Sequence, residues 1–183
     1  MPRRYGWKPD VPDFRDHTYR ATKPVLDLPR RVDLRPQCGP VEDQGTIGSC
    51  TGHAISSAME FAVYKGEHMR EQFSRLFIYW QEREIEGTVD ADDGAEIRNG
   101  VKVCAKMGAP LERYWPYNVA RFRDEPGKIP RANALKHRIT SYMRVNGLAQ
   151  VKSSLATGFP VIFGFSVYTS FESAAVARSG HVP

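Results

Sequence analysis

Apolar positions recur at helical spacing after Cys50 and predict the first long helix of the chain. The apolar residues come in adjacent pairs, and each pair lies four residues after the one before: Ala54 and Ile55, Ala58 and Met59, Ala62 and Val63. Such a stripe covers one face of an α-helix, which is then buried against a neighbour. Gly66 stands where the stripe stops, so the helix is expected to end there.

Two further helices are predicted downstream of the first. The stretch from Ser74 to Glu86 has one apolar helical face, and Gly87 follows it as a stop signal. The next helical pattern starts near Ile97, includes Cys104 and is closed by Gly108. Because Cys104 lies on the apolar face of this third helix, we expect its thiol to lie in the core.

The pattern changes in the last third of the chain. Residues 120–135 are polar and contain prolines, which indicates a boundary. A short helix is predicted over residues 148–155, ending at Gly158. The β-rich run from Pro160 to Tyr168 is typical of a buried strand. Helices followed by strands predict an α+β fold.

The stretch from Asp43 to Ala54 carries the candidate chemistry. It reads as a loop that runs into the first turn of the first helix, so Cys50 lies at a helix N-terminus, where a thiolate is favoured. A thiolate that attacks a carbonyl group needs donors for the oxyanion, and the Gln44 side chain and the Cys50 backbone N–H could supply them. Gly45 and Gly48 would let the loop bring Gln44 back towards the thiol. A buried cysteine beginning a core helix is the alternative, which the combination of these residues makes less attractive.

These residues resemble the papain-like cysteine peptidases, in which glutamine, glycine and then glycine-serine-cysteine occur with the same six-residue step from glutamine to nucleophile. Two departures are Thr51, where the family usually has an aromatic residue, and Ile47, where many members have a disulfide-forming cysteine. In both positions the chain resembles the bacterial branch of the family. The segment Leu28–Arg35 ahead of the cysteine resembles that branch as well. The resemblance runs from about residue 28 to the end of the chain.

The resemblance implies a helical half followed by a β-barrel half, with the substrate cleft between them. We assign residues 28–125 to the helical half that carries the nucleophile and residues 126–183 to an incomplete β half. Residues 1–27 would be an N-terminal extension. That extension either lies through the cleft as a self-inhibiting pro-segment or is a strand-like arm packed on the body.

Two further positions follow from the resemblance. The Asp92-Asp93-Gly94 turn stands where the family has a glycine-bearing wall of the substrate groove. Gly94 is therefore a candidate for backbone contact with a bound peptide, although an N-cap turn explains it equally well. The segment Trp115–Tyr117 resembles a corner that is common in the family, and we interpret it as packing.

The resemblance also bears on which residue serves as the base of the reaction. The family spacing from cysteine to histidine is roughly 130 to 150 residues, and His181, 131 residues after Cys50, alone falls in that range. An alignment with the bacterial branch instead places His181 in a loop before the histidine strand. No asparagine follows it. The sequence thus resembles the front part of such an enzyme, truncated before the histidine and asparagine motifs.

The predicted function is a cysteine-type peptidase that hydrolyses peptide bonds through the Cys50 thiolate and an acyl-enzyme. A catalytically incomplete remnant that binds peptides or regulates is the alternative. Transfer or ligation in place of hydrolysis also stays open. We expect a peptide or protein substrate and no cofactor or metal.

Composition and charge argue against a membrane protein, a nucleic-acid-binding protein and a disulfide scaffold. No apolar run approaches a membrane span, and the first residues lack the apolar stretch of a secretory signal, so we expect no membrane partner and a cytoplasmic location. Residues 1–35 hold nine basic and five acidic side chains. Because these charges are interleaved, we do not expect nucleic-acid binding. Three cysteines without framework spacing argue against a disulfide scaffold.

Overall fold

The structure is a computed structural model that describes residues 5–20 and 28–181. It contains six α-helices in these residues, numbered in chain order: α1 (Cys50–Glu67), α2 (Arg75–Glu86), α3 (Ile97–Lys106), α4 (Lys128–Ala134), α5 (Gly147–Ala156) and α6 (Ala174–Ser179). Short 3₁₀ turns occur at Arg35–Gln37, Glu112–Tyr114 and Val119–Arg121. Two strands, β1 (Trp7–Lys8) and β2 (Ala95–Glu96), pair in parallel with Trp7 opposite Ala95. The fold is α+β, and none of the helices found in this part of the chain is long and apolar enough to cross a membrane.

Helix α1 confirms the predicted first helix and its start at Cys50. It continues one residue past Gly66 and is ended by His68, which adopts the left-handed conformation with φ of 55°. The backbone N–H of His68 donates to the Tyr64 carbonyl and closes the last turn. The glycine therefore lies inside the last turn, and a histidine takes the capping conformation.

Helix α2 is the central element, and both of its predicted ends are confirmed. The Ser74 hydroxyl caps the start by accepting from the Phe77 N–H at 3.1 Å, and Gly87 ends the helix with φ of 69°. The residues Arg75–Arg83 are buried on every face, because α1 and α3 pack against this helix. Its buried Arg83 donates to backbone carbonyls of two neighbouring loops.

Apolar side chains on two sides of α2 form two clusters. The first joins the loop before α1 to α2 and β2: Ile47, Leu76, Phe77, Tyr79, Ala95, Trp115 and Ala134. The second joins α1, α2 and α3: Ile55, Met59, Phe73, Ile78, Cys104, Ala109 and Leu111. Cys104 is fully buried, as predicted. The first cluster positions the candidate site, because it anchors the loop that leads into Cys50.

The helices α3 and α5 also agree with the sequence. Gly108 follows α3 with φ of 76°, and Gly158 follows α5 with φ of 81°. The polar stretch at residues 120–135 contains α4, whose Ala134 packs in the same cluster as Leu76. A division of the chain near residue 126 stays a prediction.

The predicted buried strand from Pro160 to Tyr168 is wrong. This segment forms neither a helix nor a strand and has no strand partner among the described residues, and Phe163 is 71% exposed. High β-propensity reflects how a side chain fits a pleated, half-buried surface. The segment therefore lacks the neighbours that would turn its propensity into a strand.

Candidate active site

Cys50 is the first residue of α1 and is half-buried. Ser49 occupies the N-cap position, but its hydroxyl does not cap the helix. The backbone amides of Cys50 and Thr51 at this end of the helix lower the pKa of the Cys50 thiol. The open end of the helix thus acts on the thiol in the direction expected for a helix N-terminus.

The expectation of a lowered thiol pKa is wrong for this structure. Burial raises the pKa of Cys50, and the nearby Glu82 carboxyl acts in the same direction. The backbone amides of Gly6 and the first turn lower the pKa but do not offset burial. The helix N-terminus alone is therefore not enough to keep the thiol ionised while the site is covered.

The loop ahead of Cys50 holds Gln44 in a folded-back conformation. The Gln44 side-chain amide donates to the Ile47 carbonyl at 2.9 Å, and the Gly45 N–H donates to the Asp43 carboxylate at 2.9 Å. Gly45 has φ of 64°, a conformation that favours glycine. These bonds close the loop that joins Gln44 to the nucleophile.

Gly94 lies on the opposite wall and is tied to this loop through two side chains. Asp92 accepts from the Gly48 N–H at 2.8 Å and from the Tyr79 hydroxyl at 2.6 Å. The Gly94 N–H in turn donates to the Tyr79 hydroxyl at 3.2 Å. The two walls of the cleft are thus connected by a continuous hydrogen-bond network.

The N-terminal arm, residues 5–20, passes between these two walls at Gly6. Gly6 sits between Gly48 and Gly94, and its carbonyl accepts from the Ala95 N–H at 2.7 Å. The Gly6 backbone also lies near enough to the Cys50 thiol to lower its pKa. Peptide contact at the predicted wall is therefore made by the chain itself, and the hydrogen bond comes from Ala95, the neighbour of Gly94. The predicted extension also includes residues 1–4 and 21–27, which lie outside the described residues.

Charged side chains hold the arm on the body. Arg98, only 9% exposed, donates to both Asp16 carboxylate oxygens at 3.0 and 2.7 Å. It also donates to the Val11 carbonyl. Arg144 donates to Asp10 at 2.8 Å. A two-pronged guanidinium–carboxylate pair fixes geometry as well as position, so these pairs set the path of the arm.

The arm also reaches the C-terminal part of the chain. The Tyr5 hydroxyl donates to the Glu172 carboxylate at 2.7 Å. The Trp7 ring packs on Gly164, where a Cβ atom would lie 2.0 Å from a ring carbon. The N-terminal arm therefore contacts residues near the end of the chain, Gly164 and Glu172, as well as the loop ahead of Cys50.

Neither His181, the candidate base from the sequence, nor His53 on α1 is hydrogen-bonded to the Cys50 thiol in the described residues. His53 uses Nδ1 for the Ser49 carbonyl at 3.0 Å, and burial lowers its pKa. His181 is exposed after α6, where its backbone N–H donates to Ser179 Oγ at 3.1 Å. Within the described residues, no hydrogen bond joins Cys50 to a histidine.

The sequence analysis assigns no role in the site's hydrogen-bond network to three residues that belong to it: Tyr79, Asp92 and Tyr117. Tyr117 was assigned to packing, yet its hydroxyl donates to the Gln44 carbonyl at 2.8 Å and lies 2.6 Å from Ser49 Oγ. Its partners lie about 70 residues away in the sequence. No local pattern could reveal these contacts. In the described ranges, no group of three or more His, Cys, Asp or Glu side chains could hold a metal ion.

Comparisons with known proteins place the chain in a family. It is 36% identical over 209 residues to an uncharacterized peptidase C1-like protein of Acanthamoeba polyphaga mimivirus, covering 98% of this chain and 67% of that protein. Xylellain, a cysteine protease from Xylella fastidiosa, superposes with a TM-score of 0.77 at 38% identity, covering 84% of this chain and 63% of xylellain. No family model matches the chain.

A more distant structure supports the fold alone. Digestive procathepsin L 3 of the Tenebrio molitor larval midgut superposes with a TM-score of 0.62 at 16% identity, covering 78% of this chain and 45% of that protein. The chain thus spans about two-thirds of the length of the mimivirus protein and of xylellain. The similarity to the mimivirus protein and to xylellain fits the loop and helix that carry Cys50. The chain therefore belongs to the papain-like C1 cysteine peptidases.

Proposed function

We propose that this chain is a cysteine peptidase whose nucleophile is Cys50 and whose oxyanion donors are the Cys50 N–H and the Gln44 side chain. The observation that carries the proposal is the peptide segment already in the cleft. Its Gly6 carbonyl is bonded to the Ala95 N–H at 2.7 Å, and its Gly6 backbone meets the Cys50 thiol. The cleft therefore binds an extended backbone beside the sulfur atom, as a peptide substrate requires.

The proposed chemistry is acyl transfer through a thioester. The Cys50 thiolate bonds to the substrate carbonyl carbon, and the π electron pair moves to oxygen, where Gln44 and the Cys50 N–H donate to it. When the carbonyl re-forms, the C–N bond breaks and the amine leaves with a proton. Water then hydrolyses the thioester and restores the thiol. The proton carrier would be a histidine, and we keep His181 as the candidate within this chain.

The arm is proposed to be self-inhibitory. It occupies the backbone-binding edge at Ala95 and covers the thiol with Gly6, and the Arg98–Asp16 pair holds it there. Burial raises the pKa of Cys50, and we propose that the arm contributes to this burial and so reduces the thiolate fraction. Residues 1–27 as a whole are proposed to be this inhibitory segment.

Covalent labelling tests the nucleophile. We expect a peptide carrying an epoxide or vinyl sulfone warhead to add once per chain, on Cys50, and we expect Cys50→Ala to abolish the label. Cys38→Ala is the matched control, because Cys38 is a free and exposed thiol and its loss should leave the peptide label in place. A label that survives in Cys50→Ala would overturn the proposal.

Turnover separates the proposed enzyme from the non-catalytic alternative. A fluorogenic peptide is offered to the 183-residue chain and to its Cys50→Ala variant. Hydrolysis that requires Cys50 supports the peptidase and excludes the remnant. Specific labelling of Cys50 without hydrolysis would instead identify a peptide-binding chain that keeps the nucleophile but not the complete machinery.

A further inference from the structure

The Tyr117 hydroxyl connects the two ends of the nucleophile loop. It donates to the Gln44 carbonyl at 2.8 Å, and it lies 2.6 Å from the Ser49 hydroxyl oxygen. Gln44 is the proposed side-chain oxyanion donor, and Ser49 directly precedes Cys50. One phenol group therefore bonds to the residues at both ends of the segment that carries the oxyanion donors.

The directions of these hydrogen bonds form one consistent chain. Because the Tyr117 O–H is used on the Gln44 carbonyl, the Ser49 O–H must donate to the Tyr117 oxygen. The Ser49 carbonyl in turn lies 3.0 Å from His53 Nδ1, which donates as the neutral tautomer. Burial raises the pKa of Tyr117 to about 12, so the phenol keeps its proton and its role as a donor throughout the working pH range.

The Ser49 hydroxyl bonds to Tyr117 and does not cap helix α1. Serine at an N-cap usually accepts from a backbone N–H of the first turn, but Ser49 makes no such bond and is fully buried. The first-turn amides, which lower the pKa of the Cys50 thiol, are thereby left without a bond from the Ser49 side chain. The Ser49–Tyr117 bond thus holds the loop and also keeps the Ser49 hydroxyl away from these amides.

The Tyr117 ring is itself fixed by the body of the protein. The Tyr117 N–H donates to the Glu112 carboxylate at 2.5 Å, and Glu112 is paired with the buried Arg75 at 3.0 Å. The His53 ring packs edge-on against the phenol, with centroids 4.9 Å apart. The hydroxyl is therefore held by a rigid support and does not simply follow the loop.

We propose that Tyr117 is a positioning residue that acts through Gln44 and Ser49: its hydroxyl sets where the oxyanion donors stand. The proposal rests on the proposed oxyanion role of Gln44. It assigns Tyr117 no contact with substrate. Its removal should therefore weaken states that carry charge on the substrate oxygen and should leave the intrinsic reactivity of the thiol almost unchanged.

Two probes of Cys50 separate these effects in the full chain. A peptidyl aldehyde forms a reversible C–S bond with Cys50, and its oxygen takes up the electron pair where the oxyanion donors stand. The small disulfide 2,2′-dipyridyl disulfide reacts with the thiolate by exchange and builds no oxyanion; it is used on chains that also carry Cys38→Ala, because Cys38 is a second free and exposed thiol. Both probes must displace the arm, so the ratio of the two effects reports on the donors.

In Tyr117→Phe we expect aldehyde affinity to fall by about tenfold or more, since losing one oxyanion donor outright costs about 10²–10³ in rate. The disulfide rate should stay within about twofold of the unmodified chain. Tyr114→Phe is the matched control, because Tyr114 is exposed and lies on a neighbouring turn, and both probes should be unaffected. Equal losses with both probes, or unchanged aldehyde affinity, would overturn the proposal.

A double-mutant cycle tests whether Tyr117 acts through Gln44. Gln44→Ala should weaken the aldehyde alone, and adding Tyr117→Phe should cost little more. Fully additive losses would overturn the positioning role. If Gln44→Ala itself has no effect, the proposed oxyanion function fails first, which distinguishes the two failures. Should Tyr117→Phe not fold, as judged by circular dichroism, Ser49→Ala takes its place and is expected to lose aldehyde affinity selectively; a loss in both probes counts against the proposal.

Discussion

Gly6 and Gly48 are in direct backbone contact. A Cβ atom built on Gly6 would lie 1.8 Å from the Gly48 carbonyl oxygen, well inside any allowed contact. Gly94 faces the same point from the other wall, since a Cβ there would lie 1.8 Å from the Gly6 carbonyl oxygen. The arm therefore reaches the thiol only because three glycines meet where it crosses the cleft.

Substitution Gly6→Ala should lift the arm away from Cys50. The added methyl group cannot fit against the Gly48 backbone, which has no flexible side chain that could yield. We expect the rate of Cys50 modification by 2,2′-dipyridyl disulfide at pH 7.5 to rise by about tenfold, because exposure removes the burial that now raises the thiol pKa.

Gly66→Ala is the control for this prediction. A Cβ atom at Gly66 meets nothing within 4 Å, and the residue lies in the last turn of α1, so the labelling rate should not change. An unchanged rate in Gly6→Ala as well would mean that the arm does not limit access to the thiol.

The arm should remain seated in mildly acidic solution. Hydrogen bonds from Arg98 lower the pKa of Asp16, the carboxylate that fixes the arm to the body. A carboxylate with a depressed folded pKa stabilises the arm above its unfolded pKa of about 3.9, and this is lost only as pH falls through the lower folded value. We expect hydrogen exchange of residues 5–20, corrected for intrinsic rates, to be equally protected at pH 7.5 and pH 4.5.

Asp16→Asn should remove that protection at both pH values, by about tenfold or more, because Arg98 then loses its charged partner in a nearly buried position. Asp124→Asn is the control, since Asp124 forms an exposed pair with Arg121 that is worth little. Strong loss of protection between pH 7.5 and pH 4.5 in the unmodified chain would contradict this account.

The buried carboxyl group of Glu82 predicts that stability falls as pH rises, the opposite of the effect of Asp16. It is fully buried, accepts from the Thr51 hydroxyl at 2.7 Å, and burial raises its pKa to about 8. An acid with a raised folded pKa binds its proton more tightly in the fold than in the unfolded chain. The free energy of unfolding should therefore decline as pH rises from about 4.3 to 8.

Glu82→Gln imitates the protonated acid and should flatten this decline. We expect it to stabilise the chain by about 2 kcal/mol or more at pH 8.5, measured by urea unfolding, and by much less at pH 5. Glu84→Gln, on the exposed side of the same helix, should change stability little at either pH. Equal effects of Glu82→Gln at both pH values would show that the carboxyl does not change charge between them.

The parts of the structure that were predicted correctly are those fixed by local sequence. Helix α2 is an example: the Ser74 cap and the left-handed Gly87 lie within a residue of its ends, so spacing and capping suffice. The position of Cys50 at a helix start is local in the same sense. Contacts between distant segments were out of reach, as for the Tyr117 hydroxyl on Gln44, because no pattern along the chain encodes a partner about 70 residues away.

Two expectations failed for a related reason. A lowered pKa of Cys50 follows from the helix end alone, but the sulfur is buried beneath a distant arm and lies near Glu82. The strand from Pro160 to Tyr168 follows from β-propensity alone, but pairing requires a neighbour. In both cases the local signal is real, and the tertiary surroundings decide the outcome.

The exposed aromatic residues of the segment from Pro160 to Tyr168 predict self-association. Phe163 and Phe165 are 71% and 48% exposed, and their ring centroids lie 5.8 Å apart. Phe165 also contacts Phe171, with ring centroids 5.5 Å apart, so the rings form a continuous apolar patch on a segment that pairs with no strand in residues 5–20 and 28–181. Such a patch favours association with another copy through side chains and through strand pairing. We expect sedimentation velocity to show concentration-dependent oligomers at micromolar protein.

The double variant Phe163→Ser/Phe165→Ser should shift that equilibrium towards the monomer by about tenfold in concentration, since it removes two large apolar groups from the patch. Phe14→Ser is the matched control: Phe14 is 98% exposed but stands alone on the arm, and isolated apolar side chains do not drive association. If the unmodified chain sediments as a monomer at high concentration, this patch is not adhesive. If Phe14→Ser also dissociates the oligomer, the contact runs through the arm instead, and the segment from Pro160 to Tyr168 is not its cause.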